Sequence, residues 1–197
     1  MAVYTKINRS DLTSINRKFN FENFQSFKGI KQGIENTNYL LRSKNKKFIL
    51  TIFEKRVVKK EIPFFMKLMD QLSSLNINCP KPLKNNRGNY LIKVKNKVSC
   101  VVTFLDGKDK KKLNLKNCFD IGKTIAQIHL STKKLKLYRK NSMGIKNLNP
   151  LLNSIKFKSQ KFSNLEKFLK DNFKDIKDKW PKKLPQGIIH GDLFIDN

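Results

Sequence analysis

Cysteine is scarce here and follows no pattern: Cys79, Cys100 and Cys118 are the only three, widely spaced and in apolar surroundings. Their odd number and spacing match no zinc or redox motif, and they read as buried, reduced thiols of a cytoplasmic protein. Long hydrophobic runs are missing as well. None approaches the roughly 18 residues that a membrane helix needs, and Met1-Ala2-Val3-Tyr4-Thr5-Lys6 lacks the apolar centre of a signal peptide. Acidic residues are few, 15 against 43 Lys+Arg, which leaves a net charge of +28. Arginine is scarcer still, with six. Specific nucleic-acid sites lean on the arginine fork, which reads phosphates and guanine edges. Here the lysines are scattered through every segment among asparagines and isoleucines. That bias reads as the imprint of an AT-rich genome, not as a nucleic-acid or membrane surface, although a diffuse positive field attracts small anions.

What is present is a globular composition. The chain has 197 residues, 39% hydrophobic and 29% charged, enough for one ordinary domain or two small lobes with a core. A short helix is expected over 10–20 with Ser10 as its cap. Phe24 to Gly29 reads as a strand leading into Gly29-Ile30-Lys31-Gln32-Gly33. Two glycines four apart allow a tight turn and let backbone N–H groups approach phosphates, though the same spacing serves an ordinary hairpin. Asn38–Arg42 and Lys47–Phe53 are rich in β-formers and joined by a polar turn. Ile62, Phe65, Met66, Met69 and Leu72 then recur at helical spacing, with Pro63 tolerated in the first turn. Cys79-Pro80-Lys81-Pro82 forces extended chain. A second hairpin pairs Tyr90–Val94 with Val98–Leu105 across Lys95-Asn96.

After Asp106-Gly107 and the lysine run to 112 the periodicity turns helical. Cys118, Ile121, Ile125 and Ile128 line one helix face that ends near His129, which reads as a core or capping residue. Residues 131–150 are basic and irregular. Ser163-Asn164-Leu165-Glu166 has the capping-box pattern and opens a helix with Leu165, Leu169, Phe173 and Ile176 inward, ending before Trp180-Pro181. The expected class is α+β. An antiparallel sheet with one helix occupies 1–105, a linker 106–112, and the first part of a helical lobe 113–197.

The densest chemistry is at 188–197. An expected short strand, Gly187-Ile188-Ile189, runs into His190-Gly191-Asp192, and Asn197 follows Asp192 by five positions. Protein kinases space a carboxylate and an amide in this way on their catalytic loop. The carboxylate accepts the hydroxyl proton and orients the nucleophile, while the amide oxygen is a ligand for Mg²⁺. The alternative reading is a turn in which Asp192 caps a helix and Asn197 closes it.

These pieces together resemble the kinase-like small-molecule phosphotransferases, the aminoglycoside-phosphotransferase and choline-kinase group, in which the loop reads His-Gly-Asp. Within that group the chain looks most like the homoserine kinases. The segments that carry the likeness are Met1–Thr5, Ser26–Ile30, Gly33–Asn38, Phe48–Arg56, Pro63–Phe65, Cys79–Pro82, Val102–Gly107 and Ile189–Asn197, collinear over the chain. The resemblance implies a protein-kinase-like two-lobe fold and transfer of the ATP γ-phosphate to the hydroxyl of L-homoserine, on the way to threonine. It implies Asp192 as base, Asn197 as Mg²⁺ ligand, and Gly29, Gly33 and Asn36 as the phosphate cover. The backbone at Phe104, Leu105 and Asp106 would meet adenine.

Two departures accompany it. The third-strand position that commonly holds Lys or Arg is Thr51, so Lys55 or Arg56 is left to take the phosphate charge, with Glu61 a candidate partner. The further metal-binding Asp expected after the catalytic loop has no counterpart before Asn197, so the 197-residue chain is expected to be a truncated kinase, inactive or nearly so alone. ATP, Mg²⁺ and a small-molecule acceptor are the expected ligands, with no specific nucleic acid and no membrane. Oligomeric state stays open. So do two other readings: a kinase of the same fold for choline, an aminoglycoside or a sugar, and a catalytically inactive kinase-like fragment.

Overall fold

Alternation of apolar and polar side chains builds a five-stranded antiparallel sheet from β1 (Ser26–Gly29), β2 (Thr37–Arg42), β3 (Lys47–Ile52), β4 (Leu91–Val94) and β5 (Lys97–Thr103). The structure is a computed structural model that describes residues 3–19, 23–33, 35–55, 57–108, 110–155 and 163–195. Strand order is β1-β2-β3-β5-β4. Tyr39 lies opposite both Gly29 and Leu50, and Leu50 opposite Val101, so one register runs across the sheet. The β4–β5 hairpin turns on Lys95 and Asn96, at φ 49° and 62°, the two left-handed residues of a type I′ turn. Pro82 bridges Val102, and Leu83 N–H reaches the Val101 carbonyl at 2.9 Å, so the proline-rich stretch continues the edge on which β4 lies.

Each face has its own core. Tyr39, Leu41, Phe48, Leu50, Ile52 and Val101 point to one face and are buried with Ile7, Leu12, Ile15 and Phe24. The helix on this side, α1 (Arg9–Asn16), is capped by Asn8, whose side chain takes the Asp11 N–H while Asp11 takes the Asn8 N–H. The expected cap Ser10 is instead inside the helix, because Asn8-x-x-Asp11 completes a reciprocal box two residues earlier. On the opposite face Cys100 and Val102 pack with Ile62 and Met66 of α2 (Ile62–Ser74), which carries Pro63 in its first turn as expected. Phe65 stays 39% exposed, so the buried stripe is Ile62, Met66 and Leu72. Ile49 packs against this cluster, and it, Leu40 and Thr51 on this second face are only half-buried.

Residues 1–137 and 188–197 form one compact unit and 138–187 a second. The first includes α3 (Leu115–Thr132), capped reciprocally by Asn114 and Asn117. Its Ile121, Ile125, Ile128 and His129 are half-buried, whereas Cys118 is exposed, against the expectation of three buried thiols. It lies in the first turns of α3, where Leu115 and Phe119 are exposed too.

The second unit pairs α4 (Ile145–Ser154) with α5 (Ser163–Lys179). Residues 145–150 belong to a helix, not to irregular chain; Pro150 sits within it and disguised the period. In α5, Leu169 and Phe173 are half-buried, but Leu165 and Ile176 are 40% and 49% exposed rather than inward. The expected strand at Gly187–Ile189 does not form. A strand needs a ladder partner for its backbone groups, and none of the described residues supplies one.

Candidate functional site

The β1–β2 loop begins where Gly29 faces Tyr39 and the Ile30 N–H still reaches the Asn38 carbonyl at 2.9 Å. Gly33 then turns the chain at φ +91°, a region L-residues rarely enter, with open space around it. At the far end Asn36 Oδ1 accepts the backbone N–H of Glu54 at 3.3 Å, which ties the loop to the residues just after β3. Lys55 follows there with its side chain exposed. Gly29, Gly33, Asn36 and Lys55 therefore collect at one end of the sheet. Arg56, the other cation considered, lies outside the described residues.

A polar cluster that sequence reasoning missed stands beside them. Glu54 Oε1 accepts the hydroxyls of Thr5 and Thr37, each at 2.7 Å, and Oε2 is paired with Lys97 Nζ. Lys97 Nζ also donates to Thr5 Oγ1 at 2.7 Å. Thr37 Oγ1 in turn accepts the backbone N–H groups of Tyr4 and Thr5, at 3.0 and 3.1 Å. Burial raises the Glu54 carboxyl, but the hydrogen bonds from Lys97, Thr5 and Thr37 and the lysine's charge outweigh it and hold the pKa below its ordinary value. The one signal in the sequence is an acidic residue directly after a strand in a chain poor in acids. Its partners are up to 49 positions away.

The other end of β5 leads into Phe104, Leu105 and Asp106. Phe104 N–H meets the Lys47 carbonyl at 3.2 Å, and Lys47 Nζ sits 5.1 Å from the Phe104 ring centroid and 3.0 Å from Asp106 Oδ1. This lysine sets the path on which the chain leaves the sheet, although an ion pair so exposed adds at most about 1 kcal/mol. The seven residues of β5 span about 23 Å at ~3.3 Å each, so Phe104 and Leu105 lie a strand's length from the glycine loop.

Thr51, at the position usual for a strand lysine, donates its hydroxyl to Asn38 Oδ1 at 2.8 Å and carries no charge to offer an anion. Glu61 ends the single 3₁₀ turn Lys59–Glu61 that precedes α2.

Asp192 is exposed, in chain without regular secondary structure, and follows Gly191, whose φ is +77°. It belongs to the same compact unit as the sheet. Asn197 lies outside the described residues. Among the described residues no three His, Cys, Asp or Glu side chains gather as a metal cage. Two concavities, one of about 340 Å³ beside Arg17, Arg87 and Lys93 and one of about 410 Å³ beside Arg9, Thr13 and Phe24, contain none of the candidate site residues.

The chain is similar to known proteins in sequence and in fold. The homoserine kinase of Parvibaculum lavamentivorans is 33% identical over all of the chain, and that of Paramagnetospirillum magneticum 35%. The chain spans only 62% and 61% of their respective lengths. Among solved structures, a spectinomycin phosphotransferase in complex with ADP and spectinomycin superposes with a TM-score of 0.61 at 12% identity, covering 96% of this chain and 64% of that one. A microcompartment-associated aminopropanol kinase gives 0.55 at 13% identity, over 73% and 48%. These two share the α+β fold. The model of the phosphotransferase enzyme family matches residues 26–197, from β1 through the His-Gly-Asp segment, and the chain belongs to that family.

Proposed function

We propose that the protein to which this chain belongs is an ATP-dependent homoserine kinase, making O-phospho-L-homoserine for threonine biosynthesis in the cytoplasm. The observation that carries the reading is similarity along all of this chain, at 33–35% identity, to several curated homoserine kinases. In it, residues 1–105 hold the nucleotide, 106–112 join the lobes, and 113–197 begin the acceptor lobe. Adenine meets the backbone at Phe104 and Leu105. The triphosphate runs toward Gly29, Gly33 and Asn36, with Lys55 as the nearby cation.

Asp192 accepts the proton of the acceptor hydroxyl as its oxygen forms a bond to the γ-phosphorus. The bond from that phosphorus to the bridging oxygen of ADP breaks, and ADP leaves with the electron pair. Mg²⁺ is read as arriving with the nucleotide, as Mg-ATP. Its usual protein contact is one or two oxygen ligands plus phosphates, and Asn197 is the residue assigned to it. Partners are thus small molecules, with no specific nucleic acid and no membrane; no helix among the described residues is long and apolar enough to cross one.

The test is ADP release by the product of the full open reading frame, with Mg-ATP and a panel of L-homoserine, choline, an aminoglycoside and a sugar. Strong preference for L-homoserine is expected. Turnover with a different acceptor moves the protein elsewhere in the family. No turnover with any acceptor leaves a kinase-like protein without catalysis.

A further inference from the structure

The glycine loop is held at both ends by one feature, the segment Val3–Ile7, which runs across β2 without forming a strand ladder. Its backbone is satisfied by side chains instead. Tyr4 and Thr5 N–H groups go to Thr37 Oγ1, the Ile7 N–H goes to Tyr39 Oη at 3.2 Å, and Tyr39 Oη donates to the Thr5 carbonyl at 2.9 Å. At the loop's start, Val3 lies against Gly29. At its end, Thr37 and Thr5 both close on the Glu54 carboxylate, and the Glu54 backbone holds Asn36.

We propose that Glu54 is a positioning residue for nucleotide binding: through Asn36, Thr37 and the Val3–Ile7 segment it fixes the glycine loop over the phosphates. The inference rests on the kinase reading above. Glu54 touches no part of the expected reaction centre. It sets where residues 29–36 and Lys55 stand.

Stability alone is a poor account of the cluster. The Glu54 side chain is only 10% exposed, and a carboxylate so buried loses solvation that its partners must restore. The ion pair returns little stability, because the Lys97 side chain is 39% exposed and solvent screens its charge. What four mutually dependent groups add is a defined geometry, since Glu54, Thr5, Thr37 and Lys97 are bonded to one another and each restricts the rest. That geometry falls next to the one loop built to approach phosphates.

The experiment is calorimetric titration of Mg-ATP into the full-open-reading-frame protein and its variants. Glu54→Gln is expected to weaken binding by about tenfold, the scale of one hydrogen bond to a charged group. Thr5→Val, which keeps shape and removes one hydroxyl, is expected to weaken it by a few-fold and guards against misfolding of the first variant. Lys97→Arg keeps the charge and restores near-parental binding, whereas Lys97→Met does not. Ile15→Val, a core change away from the cluster, lowers the melting temperature and leaves the Kd alone; a merely structural role for Glu54 would make its variant behave the same way. If the parent binds Mg-ATP and both Glu54→Gln and Thr5→Val bind within twofold of it, the inference is overturned and the kinase reading stands. If the parent itself shows no nucleotide affinity, the kinase reading fails and takes the inference with it.

Discussion

Val3 lies over Gly29 so closely that a β-carbon on the glycine would sit 3.0 Å from the valine Cγ2 methyl. That is inside ordinary van der Waals contact, so in Gly29→Ala the Val3 side chain must give by a few tenths of an ångström. A loss of about 1–3 kcal/mol is expected, as for overpacking elsewhere. Gly33 differs: there is room for a side chain, but φ is +91°, so Gly33→Ala is strained by its backbone alone, at about 1–2 kcal/mol. Urea unfolding of a double-mutant cycle separates the two. Val3→Ala relieves Gly29→Ala, with a coupling above about 0.5 kcal/mol, and leaves Gly33→Ala unaffected. Equal coupling at both glycines would refute the assignment of their roles.

The Glu54 cluster makes the fold sensitive to acid. Desolvation raises the carboxyl, yet hydrogen bonds from Lys97, Thr5 and Thr37 leave its folded pKa below the ordinary value of 4.5. A depressed pKa means that the unfolded chain takes up the proton first. The stabilisation is fully present above about 4.5 and is lost as pH falls through the lower folded value. Thermal unfolding between neutral pH and pH 3 is expected to fall more steeply for the parent than for Glu54→Gln. Parallel curves for the two would remove the Glu54 contribution.

Thiol chemistry should sort by position. Burial pushes the Cys100 thiol up to about 12; the residue is on β5, on the sheet face that α2 covers, and is 2% exposed. Cys79 is half-buried, its pKa also raised by burial, and its thiol donates to the Met69 carbonyl at 3.5 Å. Cys118 is exposed on α3. A colorimetric thiol reagent at pH 8 is expected to modify Cys118 first, and Cys118→Ser to abolish the fast phase. Cys100 responds only after denaturation, because the thiolate is the nucleophile. Fast labelling that survives Cys118→Ser would contradict this burial pattern.

Where local chemistry decides an element, the sequence disclosed it. The five strands follow from runs such as Phe48-Ile49-Leu50-Thr51-Ile52, in which alternate residues are buried, and α2 follows from Ile62, Met66 and Leu72. Ser10 was mistaken for the α1 cap because Asn8 and Ser10 are both cap formers, and only the reciprocal bonds to Asp11 choose between them. Gly187-Ile188-Ile189 has the apolar character of a strand, yet none forms there, because strand formation depends on a neighbour that the local sequence does not contain. The Glu54 cluster was illegible for a different reason. Thr5 and Lys97 are 92 residues apart, and nothing in either neighbourhood announces a partner. Gly29 and Gly33 stand out because two glycines four apart are a local pattern, and the phosphate role of the loop belongs to the proposal; what holds the loop in place is tertiary.

Asp192 carries the sharpest prediction. Its side chain is exposed on irregular chain after the positive-φ Gly191, so Asp192→Asn removes a charge without opening a cavity. Stability is expected to change by no more than about 1 kcal/mol, the scale of one polar interaction at an exposed side chain. Asparagine is nearly isosteric but does not take up the acceptor's proton at neutral pH. If Asp192 is the base, kcat in the full-open-reading-frame protein falls by about 10²–10⁴, the range for general-base catalysis. The Kd for Mg-ATP stays within twofold, because the proposed function assigns the nucleotide to Gly29, Gly33, Asn36, Phe104 and Leu105. Initial-rate kinetics and nucleotide titration on one preparation decide the matter. A variant that keeps parental kcat sinks the base assignment, and one that loses nucleotide affinity along with turnover moves Asp192 from proton transfer to nucleotide binding.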